Sequence, residues 1–214
     1  MLLYFFEAIG MILNFKELSP NRVYHTLTQT VVPRPIAWVL SKNTQGVLNL
    51  APFSYFTAIS SDPAILMYAV GQKPTGEYKD SVVNVEATEE LIIHIADSAL
   101  AHEVTQSAAS LPNDESELDL LDLALVDFPD SPLPRLEKAK VAFACKLHKV
   151  VEMGELPMKL VFVEVTQAYI DDEIVQLDEK ARSKVDALKL DPLARLGGAE
   201  FASLGEVFKS ARPQ

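Results

Sequence analysis

Residues 33–81 gather most of the side chains that could hold an anion or a polar ligand: Arg34, Asn49, Ser54, Ser60, Ser61, Lys79, Asp80 and Ser81. Hydroxyl and amide donors beside a helix start, with one cation added, are the parts that a phosphomonoester needs. Each has an ordinary structural use as well. Ser60-Ser61-Asp62-Pro63 is good turn chemistry, Arg34 sits between two prolines, and Asp80 or Ser81 can cap a helix. The stretch 49–63, NLAPFSYFTAISSDP, interleaves such polar groups with Leu50, Phe53, Tyr55, Phe56 and Ile59. That mixture suits neither a core strand nor a solvent loop. It suits strand ends that close over something flat and polar, with apolar and aromatic walls.

Other chemistries fall away motif by motif. Residues 71–76, GQKPTG, have P-loop spacing, but Glu77 and Tyr78 stand where Lys and Ser/Thr would hold phosphate and magnesium. No GxGxxG follows a strand and no GxSxG elbow occurs. His102-Glu103 begins an HExxH pattern that ends in Gln106, which removes the second zinc ligand. The 4 histidines and 1 cysteine lie far apart, so no metal site is expected. Cys145, in the alternating VAFACKLHKVV, reads as a buried thiol. A lone cysteine allows no intramolecular disulfide, which fits a reducing cytoplasm.

The net charge of -11 disfavours nucleic acid. Residues 1–90 carry 6 Lys and Arg against 8 Asp and Glu, and residues 91–214 carry 13 against 22. An anionic ligand therefore meets least repulsion in the first half. No apolar run is long enough for a membrane span. The start, MLLYFFEAIGMILNF, has Glu7 inside it and no basic flank, so it reads as neither signal peptide nor anchor. Met11 is the expected start, residues 1–10 are expected to be dispensable, and 1–16 form an extension to one domain over 17–213.

Periodicity and turn residues divide that domain into elements. A short helix over 17–30 is capped by Ser19 with Pro20 in its first turn. Strands follow over 35–41 and 47–50, joined by the KNTQG hairpin, then over 55–59, 64–70 and 91–96. Helices are expected over 80–90 and 98–110. The acidic stretch 113–122, with Leu118, Leu121 and Leu125 in a stripe, reads as a solvated helix. Long strands occupy 141–151 and 159–170, and the tail from Asp178 reads as helix, turn and docked end. Strands outnumber helices with little βαβ alternation, which favours a closed antiparallel barrel with added helices.

Three segments carry a likeness: VVPRPIAWVLSKNTQGVLNLAPFSYFTAISSDPAILMYAV, KDSVVNVEATEELIIHI and DPLARLGGAEFASLGEVF. Together, in order and from about Glu17 to Pro213, they resemble the flavin reductase-like, FMN-binding split-barrel family. The resemblance implies a mainly β fold, a six-stranded antiparallel Greek-key split barrel with flanking helices. It also implies a homodimer that holds FMN near the subunit interface. Asn49, Leu50, Ala51 and Ser54 would lie along the isoalloxazine and ribityl chain. Ser60 and Ser61 would donate to the phosphate, and Lys79, Asp80 and Ser81 match the family's phosphate turn. Arg34 falls at the pocket edge, and Arg195-Leu196-Gly197-Gly198 matches the C-terminal motif near the flavin. Phe201 stands where relatives usually carry tyrosine. His94 stands where many carry asparagine, and reads as a strand residue facing inward.

The activity implied is NAD(P)H-dependent reduction of a flavin, or electron transfer from bound FMN, with an oxygenase as one conceivable partner. The cofactor does the electron chemistry, which agrees with the absence of a visible catalytic set. The alternative is a flavin- or haem-binding carrier or sensor without turnover. A pyridoxal-phosphate oxidase relative would share the barrel, but PRPIAWV and RLGG favour the flavin reductase-like branch.

Overall fold

In the computed structural model, which describes residues 10–178, 180, 182–211 and 213, strand β1 (Ala37–Lys42) is buried on both faces. Ala37 and Val39 join one apolar cluster, while Trp38 and Leu40 join another. Side chains alternate along a strand, so a strand apolar throughout must lie between two layers. Around it are β2 (Leu48–Phe53), β3 (Phe56–Ser61), β4 (Ala64–Val70) and β5 (Glu90–Ile95). A small ribbon of β6 (Leu125–Val126) and β7 (Arg135–Leu136) precedes the long strands β8 (Val141–Met153) and β9 (Met158–Ile170). The β1–β2 turn forms as the KNTQG signal predicts. Asn43 Oδ1 accepts from Gln45 N and Val47 N, and Gly46 takes φ +93.

The antiparallel sheet runs β2-β1-β5-β8-β9-β4-β3. It has seven strands where the resemblance implies six, and they correspond to the seven that the sequence pattern marks, with 56–61 pairing along β4 through one register shift. Its two edge strands, β2 and β3, are separated in sequence only by Ser54 and Tyr55. Strands that close in sequence can stand at opposite edges only if the sheet curls until its edges meet. The result is a barrel split along one seam, with Ser54 and Tyr55 bridging it.

Inside the barrel lie Val39, Tyr68, Ile93, Cys145, Val161 and Val163. Helix α2 (Asp80–Thr88) adds Val82 and Val85 to that cluster and so covers one end of the barrel. It is held there by Asn84 Nδ2 donating to Ser41 Oγ (3.3 Å) and by Lys159 Nζ on the Glu86 carboxylate (2.7 and 2.8 Å). Burial pushes the Cys145 thiol up, so it stays protonated and structural.

The outer face of β1 and β5 is covered by helix α3 (Ala101–Gln106) and the chain that follows it. The helix expected over 98–110 is shorter than its pattern. It begins as a 3-10 turn (Ser98–Leu100) and stops where the Ser107 hydroxyl turns back to Val104 O (3.0 Å). The same hydroxyl accepts from Trp38 Nε1 at 2.8 Å. The acidic stretch is not a solvated helix either. It holds a single 3-10 turn, Glu117–Leu120, in which Leu118, with Leu121 just after it, packs on the outer core.

The tail departs from the expected helix at Asp178. Strands β10 (Val175–Leu177) and β11 (Ser183–Val185) form a ribbon, followed by the one-turn α4 (Ala187–Leu190) with Asp186 as cap. Strands β12 (Ala194–Arg195) and β13 (Phe201–Ala202) close the C-terminal motif. Helix α1 (Pro20–Thr30) starts at the Ser19 cap and buries only Thr28, leaving Tyr24 and Leu27 exposed, with Val31 exposed just beyond it. The proposed extension falls mostly on residues 1–9, outside the described residues; Met11 and Ile12 are exposed. Among the described residues no helix is long and apolar enough to cross a membrane. Nor does any group of three His, Cys, Asp or Glu among them form a metal site.

His94 is fully buried in β5 and uses both ring nitrogens. Nδ1 lies 3.1 Å from Trp38 O, and Nε2 accepts from Leu136 N at 3.0 Å. One nitrogen must therefore donate and the other accept, which is the neutral imidazole. Burial, reinforced by the nearby Arg135 charge, holds its pKa down at about 4 against 6.5 in the unfolded chain. Because the folded value is the lower one, its contribution is complete above pH 6.5 and is lost as pH falls toward 4. The loss over that window is on the order of 3 kcal/mol. Denaturant midpoints measured across it should show this acid slope, and His94→Gln should flatten it. An unchanged slope in the variant would assign the acid sensitivity to other groups.

Candidate functional site

Beside the seam, β2 forms the floor of two adjoining clefts that share Pro52 and Ala108. One is mainly apolar, with a volume of about 280 Å³, lined by Ile36, Ser54, Val104, Arg195 and Phe201 among others. The other is polar and narrower, lined by Asn49, Ala51, Lys73, Lys79, Asp80, Ser81 and Glu117. The chain thus brings Asn49, Ala51, Ser54, Lys79, Asp80, Ser81 and Arg195 to one groove. Along β2, Asn49 and Ala51 share a face and line the polar cleft while Leu50 points into the outer core; Pro52, nearer the strand end, reaches both clefts.

The polar end joins a lysine to the start of a helix. The N-cap of α2 is Lys79, which offers no side-chain oxygen, so the first-turn amides lack a capping acceptor. The Lys79 ammonium stands 5.7 Å from the Phe53 ring centroid, and burial lowers its pKa. Among the described residues no carboxylate lies within ion-pair distance of it, whereas Lys73 Nζ is paired with Asp80 at 2.7 Å. Two further groups in this cleft lack partners among the described residues: Asn49 Oδ1 and Ser81 Oγ are buried with no hydrogen bond. A buried polar group left in that state costs about 1–3 kcal/mol, which a ligand can recover. Unpaired cation, open amides and orphaned polar atoms fit a phosphorylated, hydroxyl-bearing ligand.

The apolar end is closed by the C-terminal motif. The Arg195 guanidinium stacks 4.6 Å from the centroid of Phe201, and both line the cleft. Gly197 lies against the side chain of Gln29 in α1, where an added Cβ would collide. That close approach lets the turn 195–201 fold over the groove.

Three of the residues read from the sequence stand elsewhere, and a fourth, Arg34, sits at the edge beside Ser54 and Arg195. The Leu50 side chain is fully buried in the outer core, and its N–H is taken by Glu117. Ser60 and Ser61 lie at the exposed far end of β3, outside both clefts, where Ser60 Oγ accepts from Asp62 N at 3.3 Å. Arg34 is buried and its guanidinium is occupied by the chain itself: Thr28 O (2.6 Å), Val31 O (2.9 Å) and Leu196 O (2.7 Å), with Ser54 Oγ at 3.5 Å. It clasps α1 and the C-terminal motif to the seam. Sequence reasoning missed Glu117, Lys73 and the Ser107–Ser110 turn. Lys73 could have been found from its place in the loop before Lys79; nothing local marks the other two.

A split barrel whose seam adjoins a groove, apolar at one end and polar at the other, defines the structural class. The chain belongs to the flavin reductase-like family: the flavin reductase like domain matches residues 29–183. It is 35% identical over 201 residues to the protein YwrF of Bacillus subtilis, covering 92% of this chain and 96% of that one. The crystal structure of nitrilotriacetate monooxygenase component B from Bacillus cereus superposes with a TM-score of 0.86 at 31% identity, over 95% of this chain and 100% of that one. The 2-nitrobenzoate 2-nitroreductase NbaA of Pseudomonas fluorescens gives 0.83 at 27% identity, over 95% and 96%.

Proposed function

We propose that the chain is a flavin-dependent oxidoreductase that holds FMN in the paired groove and accepts electrons from NAD(P)H. The observation that carries this reading is the juxtaposition of an apolar cleft with a polar one ending at the uncapped α2 N-terminus and the unpaired Lys79. Lys79, Ser81 and the first-turn amides of α2 would hold the phosphate, and Asn49 the hydroxylated chain. Ser54, Arg195 and Phe201 would wall the ring. When bound, the flavin supplies the hydride and electron chemistry, so the chain's task is to bind, orient and exclude water. The resemblance to a monooxygenase component supports an oxygenase as one electron acceptor.

The reading includes a homodimer. Leu27 and Val31 line an apolar hollow with Phe56 and Met67 on the far side of Ser54, and the outer edge of β3 is unpaired. A second copy seated there would cover both. Purified protein should be yellow or take up FMN, bleach anaerobically on addition of NADH or NADPH, and scatter light as twice 23.6 kDa. Yellow protein that neither nucleotide bleaches would favour a carrier or sensor, and protein that binds no flavin would overturn the reading.

A further inference from the structure

Glu117 is the most buried carboxylate-bearing residue of the acidic stretch, at 4% exposure, whereas Asp114, Glu115, Asp119 and Asp122 face solvent. Its two oxygens reach across to β2. Asn49 Nδ2 donates to Oε1 at 2.8 Å and to Oε2 at 2.9 Å, and Leu50 N donates to Oε2 at 2.9 Å. Both oxygens thus receive N–H donors, and these hydrogen bonds favour the carboxylate against the burial that raises its pKa. A carboxylate in that state only accepts. The Asn49 amide therefore has one permitted orientation, with its NH₂ toward Glu117 and its oxygen left over. Among the described residues that oxygen has no partner; it is buried in a residue that lines the polar cleft, as Ser81 with its unpartnered hydroxyl also does.

We infer that Glu117 is a positioning residue: it locks the Asn49 side chain so that the polar cleft presents an acceptor, which selects a ligand hydroxyl at that point. The inference rests on the flavin reading above and deepens it, since the hydroxyls in question are those of the polyol chain between ring and phosphate. Asn49 alone would not impose this selection, because a free amide turns either its donor or its acceptor toward a ligand. Lys79 and the α2 terminus recognise charge, whereas the Glu117–Asn49 pair recognises hydroxyl donors. The two contributions are separable.

The test uses the full chain and two flavins without phosphate: riboflavin, which has the polyol, and lumiflavin, which lacks it. Fluorescence titration of Glu117→Gln is the main measurement, because the carboxamide keeps the side-chain shape but adds a donor and so unlocks Asn49. Riboflavin affinity should fall about three- to tenfold, in line with one neutral hydrogen bond. Lumiflavin affinity and the melting temperature should stay unchanged. Glu117→Ala should show the same selectivity at a lower melting temperature. Equal losses for both flavins, or no loss for riboflavin, would overturn the inference while leaving the flavin site intact. Wild-type protein that binds neither flavin would overturn the site assignment itself.

Discussion

Arg34→Ala is expected to lower folding stability by about 3–5 kcal/mol, the range for breaking a buried charged network. The guanidinium donates to three backbone carbonyls, those of Thr28, Val31 and Leu196, and each would be left without its donor. Only a planar fork can reach carbonyls from two separate segments at once, so Arg34→Lys should recover less than half of the loss. For a chain of this size the alanine variant should melt on the order of 10 °C lower. The mutual backbone pairing of Arg34 and Arg195, at 3.0 and 2.9 Å, would still hold part of the C-terminal motif. The measurement is a thermal melt of ligand-free protein. An unchanged melt with flavin binding abolished would show that Arg34 contacts the ligand and is not the clasp described above.

Lys79→Ala should weaken FMN binding by roughly ten- to a hundredfold, the loss of a charge-assisted contact worth about 1.5–3 kcal/mol. Riboflavin, which carries no phosphate, should be nearly indifferent. The effect should also depend on pH in a predictable direction. Burial lowers the Lys79 pKa, so its charge is lost at a lower pH than that of a solvated lysine. FMN affinity should therefore fall as pH rises through that lowered value, while riboflavin affinity stays flat. In the variant the FMN profile should lose its alkaline fall. Since burial penalises the ammonium in the empty site, the substitution should cost the ligand-free protein no stability. Equal weakening for FMN and riboflavin in a fluorescence titration would move the phosphate away from Lys79.

Much of the fold was legible in the chain because its signals are local. Continuous apolar runs mark β1, β4 and β5, Asn43 and Gly46 mark the first hairpin, and Ser19-Pro20 marks the start of α1. Lys79-Asp80-Ser81 lies at the start of α2, Asn49 and Ala51 lie along β2, and Ser54 directly follows it; their nearness could be read from spacing and resemblance together. The helices over 98–110 and 113–122 came out shorter because tertiary partners took their polar groups. Trp38 claims the Ser107 hydroxyl, and β2 claims Glu117.

What spacing could not reveal was decided when the sheet curled. Closing the barrel puts Ser54 on its seam, sets Leu196 against Arg34 162 positions away, and carries Glu117 to Asn49 across 68. Such contacts depend on the curvature and register of seven strands, and a carboxylate in a solvent-like acidic run carries no local mark of its distant partner. The residue types that a ligand needs are therefore written along the chain. Which of them face the groove, and which instead hold the barrel shut, follows only from the closure.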